Sequence, residues 1–315
     1  LLVGGFAALI LAGVLLAVNH MLTVNRLIVL LALAGFLLRL VYILYTPVYE
    51  RQHDVWYFGG ERGHAAYIEY FYNELKIPDF DPRTRWQFYH PPLHHMLSAL
   101  WMRLNTALGM DYERVKEGVQ VLTLFYSSAC MILFYKLLRA FSLKGAALVI
   151  PFALICFHPS LIIMAGSINN DILSITLALA AILATVRWYQ KPTAKRIVPI
   201  ALAVGGSMMA KLSGGLVAPA IAFVFLIKLI QEKGQFKRYV GQFCLFAVIC
   251  VPLGLWWSVS NLIRFGMPLN YVPMLSLRDE QYIGGYTVMQ RLFDWDPGQL
   301  ASPFTAWGKY SLSNY

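Results

Sequence analysis

Charge is scarce in this 315-residue chain. Only 13% of its residues are Asp, Glu, Lys or Arg, where a soluble domain carries roughly a quarter. That excludes an ordinary water-soluble globule. Cysteine is sparse as well. Cys130, Cys156, Cys244 and Cys250 all fall in apolar runs, at spacings that make neither a zinc site nor a disulfide frame. Period-two alternation over ten-residue segments is missing, which argues against a membrane β-barrel. Internal repeats and low-complexity tracts are missing too. Secondary transporters often show paired halves with broken helices, so that absence weighs against one. No basic stretch precedes the apolar run that opens the sequence, and this run is not read as a signal peptide.

What is present is hydrophobic length. Apolar residues make up 58% of the chain, and its mean hydropathy is +0.58. Apolar runs of about 18–22 residues recur, the length that crosses a bilayer as a helix. Eight spans are expected, over about 1–18, 27–45, 119–138, 146–164, 171–187, 197–210, 214–230 and 240–262. The fold class is therefore all-α integral membrane, a multi-span helical bundle. The net charge of +10 fits that topology and does not require nucleic acid. Alternate loops hold twelve basic residues: Arg26; Lys136, Arg139 and Lys144; Arg187, Lys191, Lys195 and Arg196; Lys228, Lys233, Lys237 and Arg238. They hold one acid, Glu232. The opposite short loops carry Asp171 and Lys211. Basic loops mark the cytoplasmic side, so His53, Asp54, His90, Asp171, Lys211 and Arg264 are expected near the other surface.

Roughly residues 46–118 break the apolar pattern. This stretch holds ten of the sixteen acids and five of the seven histidines, His53, His64, His90, His94 and His95. Chemistry is expected there. Pro91-Pro92 suits the first turn of a helix. Leu93, Met96, Leu97, Leu100, Trp101 and Leu104 then recur at three- and four-residue steps, opposite His94, His95, Ser98, Arg103, Asn105 and Thr106. One greasy stripe and one polar face describe a helix lying in the membrane interface. Residues 64–75 read similarly, with Ile68, Phe71, Tyr72 and Leu75 on one side and Glu69 and Asn73 away from it. The chain thus divides into 1–45, the first two spans; 46–118, an extracytoplasmic loop with two interfacial helices; 119–262, a six-span bundle; and 263–315, an outer loop expected to lead into further spans. Arg39, about six residues from the outer end of its span, is expected to snorkel to the interface. Trp101, Trp256 and Trp257 are expected as belt aromatics.

The order of several short motifs is familiar. His53-Asp54-Val55-Trp56-Tyr57-Phe58-Gly59 follows a span, and His90-Pro91-Pro92-Leu93 opens an interfacial helix. Asn169-Asn170-Asp171 enters a span, and Lys211-Leu212-Ser213-Gly214 joins two. Trp256-Trp257 through Asn261, then Arg264-Phe265-Gly266-Met267-Pro268-Leu269, close the series. Over roughly residues 26–270 this resembles the polyprenyl-phosphate-sugar-dependent glycosyltransferases of the GT-C fold. It is similar to the protein O-mannosyltransferase-like, bacterial glycosyltransferase family 39 type, whose relatives include the lipid A aminoarabinose transferases. Those mannosyltransferases carry Asp-Glu where this chain has Asp54-Val55, and often Gly-Lys where it has His94-His95; the run 1–18 is extra. The departures bear on donor sugar and acceptor more than on reaction class.

The resemblance implies a multi-pass cell-membrane enzyme that moves a sugar, with inversion, from a polyprenyl-phosphate-linked donor to an acceptor hydroxyl on the extracytoplasmic face. Asp54 is then the general base that takes the hydroxyl proton; read alone, it is a solvated carboxylate beside Arg51. Asp171 is the second catalytic carboxylate, binding acceptor, orienting water or holding a metal; its plain reading is a helix N-cap. Lys211, Arg264 and His90 are the donor-phosphate residues, against snorkelling for the two cations. His53, His94 and His95 belong to the substrate loop, and one or two belt aromatics are free to stack on a sugar. A histidine zinc site is not expected, because adjacent His94 and His95 point about 100° apart on a helix and no His-Glu-x-x-His motif is present. No cofactor is firmly implied; a divalent cation between Asp54 and Asp171 stays open, since some GT-C enzymes use one. The acceptor, whether protein, glycan or lipid, is unspecified. Two rivals come from other classes. A polytopic lipid or solute transporter or flippase would need charged or broken spans lining a path; a non-catalytic membrane assembly subunit would need neither.

Overall fold

The computed structural model describes residues 2–50, 52, 55–269, 271 and 273. Arg51, His53 and Asp54 lie outside the described residues, as does the sequence from 274 onward, which is most of the expected outer loop 263–315. Leu1–Met267 forms one compact unit, and the architecture below is that of this unit.

Twelve α-helices run through the described residues. They are α1 (Leu2–Val18), α2 (Val24–Tyr45), α3 (Gly63–Glu74), α4 (Leu93–Ala107), α5 (Tyr112–Glu117) and α6 (Val119–Ala140), followed by α7 (Ala146–Cys156), α8 (Pro159–Gly166), α9 (Asp171–Gln190), α10 (Ala194–Ala210), α11 (Val217–Gln231) and α12 (Phe236–Phe265). Five stretches are long and apolar enough to cross a membrane: Val24–Tyr45, Tyr112–Ala140, Asp171–Gln190, Leu212–Gln231 and Lys233–Phe265. The pair α7 and α8, bent by 42° at its break, makes a sixth. Of the eight expected spans, α1 and α10 are shorter, at 17 residues each. This is a multi-span membrane protein, and its surface shows why. Phe125, Ile132, Ile150, Leu154, Phe223 and Val248 are all more than half exposed, a pattern that lipid tolerates and water does not.

Inside the bundle, α10 packs between α9 and α12. Ser174 of α9 and Ser207 of α10 lie with their hydroxyls 3.1 Å apart. Ser207 also donates to the Ser174 carbonyl at 2.8 Å. Small residues let two backbones approach this closely, and the hydroxyls then bridge them.

The expected fourth span, 146–164, is not continuous. Phe157-His158-Pro159 interrupts it, since proline ends the preceding helix and suits the first turn of the next. The terminal carbonyls at such a break have no helical partner, and here neighbouring helices supply one. Arg39 of α2 donates to Cys156 O at 2.7 Å, Ile155 O at 3.3 Å and Gly35 O at 2.9 Å, and from Nε to Ser127 Oγ at 2.7 Å. The far end of α8 is capped from α6: Thr123 donates to Ala165 O at 2.7 Å and Gln120 to Gly166 O at 2.7 Å. Arg39 therefore does not snorkel. It is fully buried, and the bent backbone holds it there.

Both helices expected in the loop, α3 and α4, are present and packed on each other. On α4, Leu97, Leu100 and Leu104 are exposed while His94, His95, Ser98 and Asn105 are buried. The leucines look outward and the two histidines, Ser98 and Asn105 look inward, while Arg103 and Thr106 of the polar face stay exposed. Trp256 is exposed, whereas Trp257, expected in the belt, is buried and donates to Tyr89 O at 3.1 Å. Trp101 donates to Gly118 O at 2.8 Å.

Arg39→Met leaves several buried carbonyls without a donor and should cost about 3 kcal/mol or more. Thermal unfolding in detergent should show a clear fall in Tm, only partly restored by Arg39→Lys because lysine lacks the planar fork. An unchanged Tm for Arg39→Met would contradict the capping role.

Candidate active site

Four connections meet at one end of the bundle: the loop before α3, the turn before α4, the segment between α8 and α9, and the join of α10 to α11. Gln52 fastens the first to the third, donating to Gly166 O at 3.0 Å and accepting from Ile168 N at 3.3 Å. His94 fastens α4 to the same segment through Ile168 O, 2.9 Å from its Nε2. A carbonyl only accepts, so His94 carries its proton on Nε2. Asn170 fastens the start of α9 to the end of α10, donating to Ala210 O at 2.8 Å.

These ties set Asp171 against Lys211, forty positions apart in the chain. The lysine ammonium donates to the Asp171 carboxylate in a partly buried ion pair. Asp171 is the first residue of α9, where a negative charge is favoured by the helix dipole, but it is not the N-cap. Asn170 holds that position, and Asn169 accepts the Asp171 N–H at 3.2 Å. The carboxylate is thus left for the lysine. Lys211 ends α10 and leads into a 3₁₀ turn, Leu212–Leu216. A Cβ on Gly214 would lie 2.2 Å from Ser207 Oγ and 2.6 Å from Ser174 Oγ. Only glycine lets the turn fold back onto α9 and α10, which gives the Lys-x-x-Gly spacing a steric reason.

Beside the pair is a cavity of about 210 Å³, lined by the polar Asp171, Ser174, Lys211 and Ser213, by Gly214, and by the apolar Ile175, Ala178, Leu216 and Val217. Asp171 and Lys211 stand where α9 begins and α10 ends, Ile175 and Ala178 continue the same face of α9, and Leu216 and Val217 lead into α11.

Behind Lys211 lies a stack of histidines. His64 Nδ1 is 2.8 Å from His95 Nε2, and the His64 ring stacks on His95 at 5.1 Å and on His90 at 5.4 Å. Tyr67 lies 4.2 Å from His95, and Tyr89 lies 4.6 Å from His90. Burial holds these imidazoles neutral. It pushes His90 down to about 3, helped by the Lys211 charge and opposed by Asp171. It pushes His94 down to about 4, opposed by the Ile168 hydrogen bond and by Asp171. His64 and His95 are lowered well below the ordinary value by burial and then by the neighbouring histidines. Neutral imidazoles offer N–H donors next to Lys211 without adding charge.

The structure thus brings together Asp171, Lys211, His90, His94 and His95. His94 and His95 are fully buried and reach the site through their neighbours. Arg264 is exposed at the end of α12, donating to Pro78 O at 3.1 Å with its guanidinium 4.7 Å from the Phe265 ring. Asp54 and His53 lie outside the described residues. Among the described residues no three His, Cys, Asp or Glu side chains group as a metal's ligands. Sequence reasoning missed His64, Gln52 and Asn170. His64 was discoverable, because it precedes Ile68 by four positions and shares its buried face.

The arrangement is that of a multi-span membrane protein with a charged pair and hydrogen-bond donors gathered at the helix ends, beside an apolar wall. Residues 89–257, which include His90, Asp171, Lys211 and the cavity between them, match the dolichyl-phosphate-mannose-protein mannosyltransferase family, and the chain belongs to that family of membrane glycosyltransferases. No curated protein and no solved structure matches the chain.

The neutral histidines make stability depend on pH. Their folded values lie below the ordinary 6.5, so on acidification the unfolded chain takes up protons first. Stability is complete above about 6.5 and falls towards about 4 for His94 and about 3 for His90, at about 1.4 kcal/mol per pH unit for each histidine that stays neutral. Thermal unfolding at successive pH values should show Tm dropping below about 6.5, with a shallower slope for His94→Gln. A flat profile would contradict the buried neutral stack.

Proposed function

We propose that the chain moves a sugar from a polyprenyl-phosphate-linked donor to an acceptor hydroxyl on the extracytoplasmic face of the cell membrane, with inversion. The observation that carries this reading is the Asp171–Lys211 pair at the head of a cavity whose wall turns apolar along α9 and α11. An amphiphilic donor needs both parts. Its phosphate needs a cation whose hold strengthens as negative charge develops on departure. Its polyprenyl tail needs an apolar path open to lipid. Membership of a membrane glycosyltransferase family supports the reaction class. The basic residues near the opposite ends of α9, α10, α11 and α12 support the sidedness, because basic ends stay cytoplasmic.

In this reading residues 46–118 are the catalytic loop and 119–262 the bundle beneath it. Asp54 takes the proton of the acceptor hydroxyl as its oxygen attacks the anomeric carbon. The attack comes from the face opposite the phosphate, so the new C–O bond forms with inverted configuration. The old C–O bond breaks and its electron pair leaves on the phosphate. Lys211 receives that charge, with a neutral His90 N–H and Arg264 adding hydrogen bonds. Asp171 holds Lys211 in place before the donor arrives, and the incoming phosphate then competes for the ammonium and frees the carboxylate to orient the acceptor. His53, His94 and His95 shape the substrate loop, the last two through the contacts they make beneath it.

Purified protein in nanodiscs, offered polyprenyl-phosphate sugars and a membrane extract as acceptor, should release polyprenyl phosphate. Asp54→Asn should slow release by about 10²-fold or more, and Lys211→Met by about 10²–10³-fold. Full release from folded Asp54→Asn would overturn the base assignment. Transport into vesicles without any glycosidic product would overturn the reaction class.

A further inference from the structure

A second cavity, of about 570 Å³, opens on the outer loop, and Tyr49, Gln52, Trp56, Tyr57, Gly63 and Trp86 line it. Its four aromatic rings stand in the open: Trp56 is 58% exposed, Tyr57 51%, Tyr49 50% and Trp86 42%. They are not core residues. Nor is their setting that of a lipid-facing belt, because Glu50, Glu61, Arg62 and Arg83, their neighbours in the chain, are exposed as well, and Tyr49 donates to Glu113 at 2.7 Å.

The display of these rings is enforced by the backbone. Trp56 has φ +64° and Gln87, next to Trp86, has φ +72°, left-handed conformations that bulky side chains avoid. The start of α3 ties down both the residue before Trp56 and Trp86 itself. Val55 O accepts from Ala65 N at 3.2 Å, and Trp86 O accepts from Gly63 N at 3.0 Å. A Cβ on Gly63 would come within 2.3 Å of the Trp56 Cβ, so glycine there permits the arrangement. Strain of this kind persists only where the surroundings over-determine it, and it clusters at working surfaces.

The cavity adjoins the site already described. Its Gln52 side chain holds Ile168, three residues before Asp171, and Gly63 immediately precedes His64. Positions 53 and 54 fall between Gln52 and Val55 in the chain. None of the described lining residues carries a charge, and the two charges that touch Tyr49, Lys116 over its ring and Glu113 at its hydroxyl, are paired with each other at 2.6 Å, which disfavours a phosphorylated or otherwise ionic ligand. Flat apolar rings with polar edges suit the C–H faces and hydroxyl rims of pyranose sugars.

We propose that this aromatic cleft is the acceptor subsite and that it takes a neutral saccharide chain, so that the acceptor is a glycan. The proposal rests on the glycosyltransferase reading and narrows its acceptor. Its test is binding to the full chain in detergent with no donor lipid present, read by saturation-transfer NMR with mannotetraose, chitotetraose and maltotetraose as probes. At least one should bind saturably. Trp56→Ala and Trp86→Ala should each weaken it about tenfold, and Trp56→Tyr should restore most of the loss. No binding by any of the three, or binding indifferent to both alanine variants, would overturn the proposal. Quenching of Trp56 and Trp86 fluorescence by brominated lipid in nanodiscs would also overturn it, by assigning them to the bilayer. Because no donor is used, failure here leaves the Lys211 assignment standing, and failure of donor release leaves the binding result standing.

Discussion

A guanidinium buried where a helix breaks sets the geometry of this protein. Unpaired carbonyls in a membrane interior cost several kcal/mol each, so the break between α7 and α8 needs donors from elsewhere in the bundle. Arg39 supplies them from α2, and Gln120 and Thr123 supply them from α6. A cation at this depth is itself expensive unless carbonyls surround it. Each feature is therefore stable only in the presence of the other, and together they fix how α8 approaches the helix ends.

That approach has chemical consequences. The segment leaving α8 runs from Gly166 to Asp171, and nearly every polar group along it is tied to a different element. Gln52 and Gln120 meet at Gly166, His94 holds Ile168, and Asn170 holds Ala210. Asp171 is thereby placed on Lys211 by four separate parts of the chain. The histidines behind the pair are held neutral by burial, so the lysine has one counter-charge and no competing cation among them. A site built this way presents a single strong cation to an anionic leaving group, with an apolar wall alongside.

Much of this was legible in the sequence. Apolar length revealed the spans, and the presence of α3 and α4 followed from three- and four-residue stripes, because an amphipathic surface leaves that period wherever it lies. The motif order around Asp171 and Lys211 pointed to the family that residues 89–257 match. The pairing of those two residues was not legible, since each has an ordinary local explanation and only the packing of α9 on α10 joins them. The snorkelling expected of Arg39 fails for a similar reason: its depth suggested it, and the carbonyls at the break, Cys156 O and Ile155 O, lie more than a hundred positions away. The break they serve did leave a sign in Phe157-His158-Pro159, which hydropathy averages out. The face of α4 carries a further lesson. Its histidines pack inward under a helix whose leucines face out, so a run of polar residues on one face of a loop helix can mark the protein interior.

The central claim is that Lys211 and the wall of α9 and α11 hold the donor's phosphate and tail. Cryo-electron microscopy of the protein in nanodiscs with a bound polyprenyl phosphate would test it directly. The account predicts phosphate density within hydrogen-bond distance of Lys211 and tail density along Ile175, Ala178 and Val217. Phosphate density instead at the far end of the bundle, in the groove of about 570 Å³ lined by Arg187, Lys195 and Arg196, would contradict it.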